Sequence, residues 1–73
     1  MSENELEFAI FCVESVADFL KKDPAQIYKA LVSDSDILHS YIIPEYEVLH
    51  TQGKEYIVNG IMEVVRERGV ILA

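Results

Sequence analysis

From Leu6 to Leu20 the chain contains neither Gly nor Pro, and Glu7, Glu14, Asp18 and the following Lys21 fall at helical spacing on one narrow polar strip. The intervening Leu6, Phe8, Ile10, Cys12, Val13, Val16, Phe19 and Leu20 cover more of a helical cylinder than one packing face needs. The pattern predicts a first helix that is either central or partly an interface. Ser2 and Glu5 have the spacing of a capping box, with acidic residues where a helix N-terminus favours negative charge. Asp23-Pro24-Ala25-Gln26 supplies an N-cap, a proline at N1 and a Gln at N3, so the first helix ends near Lys22 and a second begins at once.

Ile27, Ala30 and Leu31 form the inward stripe of that second helix, which Ser33-Asp34-Ser35-Asp36 interrupts with residues that prefer turns and caps. A short third helix is expected through Tyr41. Pro44 can open another at Glu45, with Tyr46 and Leu49 inward and Gly53 at its end or its junction with the next. The last helix is expected from Lys54 to Arg68, with Ile57, Val58, Ile61, Val64 and Val65 inward. Arg66, Arg68 and Gly69 suit its end, and Val70-Ile71-Leu72 follows as an apolar tail. No alternating stretch demands a strand. The predicted fold class is all-α: one helical domain over residues 1–73, a compact bundle of four to five short helices with a helix-turn-helix-like segment at 16–31.

Composition narrows the function. Thirteen acidic residues against six basic give a formal charge of −7, which opposes broad attraction to nucleic acid or an anionic membrane. The single Cys12 forms no intramolecular disulfide, the sequence opens without a basic leader region, and no apolar run reaches membrane-spanning length. A cytoplasmic location is expected. A core this small rarely supplies more than about 3–5 kcal/mol, which makes a homodimer or a protein partner a reasonable expectation.

Candidate chemistry is sparse. Ala17 at a close helix contact, Leu20 before the turn and Ile27 anchoring the next helix reproduce helix-turn-helix spacing. Under a DNA-binding reading Gln26 and Lys29 face bases, with Lys21 and Lys22 on phosphate. Against it, the turn lacks the usual Gly, the motif has no Arg, and such a turn is also simply a compact way to join two packed helices. His39 and His50 are the only histidines; no pair shares a helix face, and Asp34 and Asp36 are explained as helix-start residues, so no metal site and no cofactor is expected. Cys12 sits among Phe11 and Val13, where burial suppresses the thiolate, and Glu45 with Glu47 and Glu63 with Glu67 read as solvated faces. No enzyme is expected. Tyr28 and Tyr41 divide evenly between core and interface; Tyr46 and Tyr56 are assigned to the core.

The stretch Tyr46-Glu47-Val48-Leu49-His50-Thr51-Gln52-Gly53-Lys54-Glu55-Tyr56-Ile57-Val58 resembles the signature of a small bacterial family of unknown function, and Phe8–Glu14 and Leu38–Ile43 fit the same pattern. Where that family commonly has an acidic residue after Val58-Asn59, this chain has Gly60. The resemblance implies no catalytic set. Its members are similar to accessory proteins encoded beside toxin-like, ADP-ribosyltransferase-related proteins, which implies a cognate protein partner. Within the motif Tyr46, Leu49, His50, Thr51, Gly53 and Tyr56 stand out: Thr51 is expected to cap the final helix and His50 to bond a neighbouring backbone or Tyr hydroxyl. The expected function is a non-catalytic interaction or regulatory module, antitoxin-like in role, binding through Phe8, Phe11, Tyr28, Tyr41 and Ile71; the alternative is a helix-turn-helix transcriptional regulator.

Overall fold

The computed structural model describes residues 2–72; Met1 and Ala73 lie outside the described residues. Its elements are α1 (Glu3–Leu20), α2 (Pro24–Val32), a π-helical turn (Leu38–Ile42), α3 (Tyr46–Leu49) and α4 (Lys54–Glu67), with no strand among the described residues. The fold is all-α, as the apolar periodicity implies.

Local signals set the ends of the helices. The Ser2 hydroxyl accepts from the Glu5 N–H at 3.2 Å and the Glu5 carboxylate accepts from the Ser2 N–H at 2.9 Å, completing the capping box. The same backbone donor holds the Glu5 carboxyl below its ordinary pKa. Asp23 caps α2 by accepting from the Ala25 N–H at 2.8 Å, with Pro24 in the first turn where its missing N–H costs nothing. At the far end of α4, Gly69 adopts φ +67° and the Val70 N–H donates back to the Val65 carbonyl at 3.0 Å. That is the glycine-closed helix ending expected of Arg68-Gly69.

α1 ends by the same geometry without a glycine. Lys21 takes φ +57°, and the Lys22 N–H donates to the Ala17 carbonyl at 2.9 Å. The chain thereby turns from α1 into α2 within the residues Lys21, Lys22 and Asp23.

The short third helix expected through Tyr41 is present, and it is π-helical. The Ile43 N–H donates to the Leu38 carbonyl at 2.9 Å, one residue further back than in an α-helix. Burial explains the difference: Ile37, Leu38 and Ile42 are all buried, and an α-helix sets positions i and i+5 on different sides whereas the wider turn brings them round together. Ser35 supports the entry to this turn, donating its hydroxyl to the Ala30 carbonyl at 2.7 Å.

The core joins one face of each main helix: Cys12 and Val16 from α1, Ile27 and Leu31 from α2, Ile57 and Ile61 from α4, all at most 2 % exposed. α1 packs against both α2 and α4, so it is the central element its apolar excess suggested. Val70 and Leu72 pack against this core, while Ile71 stays exposed.

Candidate functional site

Helical spacing leaves α1 with more apolar surface than the core consumes. Leu6, Ile10, Phe11 and Phe19 remain 41–59 % exposed, although Phe8, Ala9, Cys12, Val13, Val16 and Ala17 are buried. The polar strip of Glu7, Glu14 and Asp18 runs between Ile10 on one side and Phe11 on the other, so the exposed apolar residues form two separate surfaces and not one continuous arc.

The first surface is a groove between α1 and α2 of about 410 Å³. Leu6, Ile10 and buried Ala9 line it from α1, and Ala25, Tyr28 and Val32 from α2. Glu14, His39 and the Tyr28 phenol supply the polar side-chain groups of its lining. Tyr28 is 54 % exposed, so its ring forms a wall of the groove and not part of the core.

The second surface is an aromatic row. Phe8 stacks on Phe11 with ring centroids 6.3 Å apart, meets Tyr46 edge-on at 5.3 Å, and Tyr46 in turn stacks on His50 at 4.6 Å and 15° between planes. Phe8 is 8 % exposed. Its expected role as a binding residue is therefore corrected: it supports Phe11 and Tyr46 from beneath.

The conspicuous motif at 46–56 builds the junction between α3 and α4. Leu49 enters the core and Tyr46 packs beside it. Thr51 does not cap the final helix; its hydroxyl turns back to donate to the Val48 carbonyl at 2.8 Å and closes α3 instead. The N-cap of α4 is Gly53, which makes no side-chain cap. Gly53 has φ −74° and open space where a Cβ would stand, so nothing in the structure explains a glycine there. His50 meets Tyr46 through its ring, not through the hydroxyl. Tyr56 is 58 % exposed, which corrects its assignment to the core.

Tyr41 and Tyr56 line a third hollow with Asn59, Gly60, Glu63 and Glu67. Burial, with Glu45 next in effect, raises the Tyr41 phenol above its usual pKa. Gly60 allows the contact: a Cβ there would stand 2.7 Å from the Tyr41 hydroxyl oxygen. Gly60→Ala should therefore lose the roughly 1 kcal/mol that helix propensity offers mid-helix, because Tyr41 must move. In a Tyr41→Phe background the same substitution should gain it. Urea denaturation of the four proteins of this cycle measures the coupling, and additive effects would show that the hydroxyl does not constrain position 60.

Lys21, Lys22, Gln26 and Lys29 are exposed around the α1–α2 turn. Lys29 lies 3.9 Å from Asp34 across an exposed ion pair. Of the residues expected to bind a partner, only Tyr28 lines the α1/α2 groove; Phe11, Tyr41 and Ile71 stand apart from it. Leu6 and Ile10 are the groove residues that side-chain type alone does not single out, and their signal was the apolar excess of α1 over one packing face.

Cys12 is wholly buried, and burial pushes its thiol up to about 12. Among the described residues no group of three or more His, Cys, Asp or Glu side chains is placed to hold a metal ion, and no described helix is long and apolar enough to cross a membrane.

No curated protein and no solved structure is significantly similar to this sequence. Residues 7–68, from the first turns of α1 to the end of α4, match the family model described as a protein of unknown function, DUF3791. That match takes in the α1/α2 groove except Leu6, together with the aromatic row and the α3–α4 junction, and the chain belongs to the DUF3791 family.

Proposed function

We propose that the protein is a non-catalytic interaction module that holds a protein partner in the groove between α1 and α2. The observation that carries this reading is the groove itself: exposed Leu6, Ile10 and Tyr28 flank a hollow of about 410 Å³ whose lining is almost wholly apolar. Solvent-exposed apolar walls gain most when a complementary surface removes them from water. The deep burial of Cys12, the sole thiol, favours a binding role over nucleophilic chemistry. An antitoxin-like accessory role, suggested by the family resemblance, is one form such a module takes.

A second reading, DNA recognition, draws on the exposure of Lys21, Lys22, Gln26 and Lys29 around a three-residue turn between packed helices. Affinity capture of the tagged protein from its native lysate, with and without nuclease, separates the two. Under the interaction reading a stoichiometric protein survives nuclease. Its recovery falls about tenfold or more with Leu6→Ser and Ile10→Ser together, since apolar anchors contribute about 1–2 kcal/mol each. It is unchanged with Tyr56→Ser, which alters an exposed aromatic on α4. Loss with Tyr56→Ser but not with the pair would sink the groove as the site. Recovery of nuclease-sensitive material alone, abolished by Lys21→Glu with Lys29→Glu, would establish the second reading.

A further inference from the structure

The chemistry of the groove restricts what fits it. Its lining offers few polar groups, and the described residues include no strand edge along which an extended peptide could pair. A segment entering it must therefore satisfy its own backbone hydrogen bonds, as a helix does. Ala9 is buried while Leu6, Ile10 and Tyr28 stand exposed and Ala25 adds little bulk, leaving a trough flanked by two helices in which a third can lie.

Charge restricts the occupant further. Glu14 lines the groove, Glu7 stands two turns earlier on the same exposed strip of α1, and Asp36 lies 3.7 Å from the groove residue His39. A second copy of the chain answers this rim badly. It would bring a further formal charge of −7, and Lys29, Lys54 and Arg68, half of its basic side chains, are already engaged with Asp34, Asp18 and Ser40.

We propose that the α1/α2 groove takes a basic amphipathic helix of a partner protein, its apolar stripe against Leu6, Ile10 and Tyr28 and its Lys or Arg side chains over Glu7, Glu14 and Asp36. This rests on the groove being the binding site and adds the class of partner. Complementary rim charge steers association and selects among apolar helices that fit the trough equally well.

The test lets the protein choose. A displayed library of random peptides of about 15 residues, roughly four turns of helix, is selected on the intact protein and counter-selected on Ile10→Lys, a change at an exposed position whose folding is verified by circular dichroism. Expected winners repeat apolar residues at i, i+3 or i+4, and i+7, with Lys and Arg beside them. A synthesised winner should bind about three- to tenfold more weakly to protein carrying Glu7→Gln and Glu14→Gln, and lose that difference at high salt. Groove-dependent winners that are neutral or acidic, or rich in Pro, would overturn the basic helix while leaving the groove as the site. The absence of any winner that distinguishes Ile10→Lys would overturn the groove reading too. A dimer in sedimentation that Ile10→Lys dissolves would make a second copy the occupant.

Discussion

Ile27→Ala is expected to abolish the cooperative unfolding transition at 37 °C, leaving a largely unfolded chain. Ile27 is wholly buried and anchors α2 in the core beside Leu31, opposite α1. Truncating a buried Ile to Ala costs about 2–5 kcal/mol, the sum of lost transfer energy and the cavity left behind. A domain of this size rarely has more than about 3–5 kcal/mol to lose. Tyr28→Ala, one residue further on, removes an exposed groove wall and should cost less than about 1 kcal/mol. Urea denaturation followed by circular dichroism compares the two. A loss at Ile27 no larger than that at Tyr28 would mean that α2 is not held by the core as described. The pair also separates the proposed binding role from stability, since Tyr28→Ala is expected to remove a wall of the groove in a protein that stays folded.

The second large effect is alkaline. The Cys12 thiol is raised from 9.0 to about 12 by burial, which penalises the thiolate. Below pH 9 the thiol is protonated in both the folded and unfolded chain, and its contribution is fully present. Above pH 9 the unfolded chain releases the proton while the folded one retains it, so stability falls by about 1.4 kcal/mol per pH unit and levels off as pH passes about 12. The whole span is about 4 kcal/mol, comparable to the stability of such a domain, so unfolding is expected to set in above about pH 11. Tyr41, whose phenol is also raised, acts in the same direction. Cys12→Ala should be somewhat less stable at pH 7 and clearly less sensitive to pH above 9. Urea midpoints at pH 7, 9, 10 and 11 under reducing conditions test this, and parallel pH profiles for parent and variant would show that the thiol is not the responsible group.

What the sequence discloses follows the range of the forces involved. The Ser2–Glu5 box, the Asp23-Pro24 start and the Gly69 ending depend on residues within one turn of one another, so their spacing in the chain is already their geometry. The π turn depends on Ile37, Leu38 and Ile42 all needing the same core, which periodicity within an isolated segment does not encode. Tyr56 precedes the stripe of Ile57, Val58, Ile61 and Val65 by a single position; that rotation of about 100° carries an otherwise core-like side chain into solvent. Thr51 has two partners within reach, the next helix and the preceding one, and only the path of the junction decides for Val48. For the site, the excess of apolar residues on α1 was visible while their division was not. The acidic strip acquires meaning as a divider only once α2 stands beside Ile10 and Tyr46 beside Phe8.

The central position of α1 also orders events during folding. Its contact with α2 spans a few residues of turn, whereas its contact with α4 must wait until the whole stretch from Lys21 to Gly53 has been brought back on itself. The first contact is cheap in chain entropy and the second bears most of the closure cost. The hairpin that carries the groove is thus expected to form first, with the docking of α4 as the costlier closure that completes the fold.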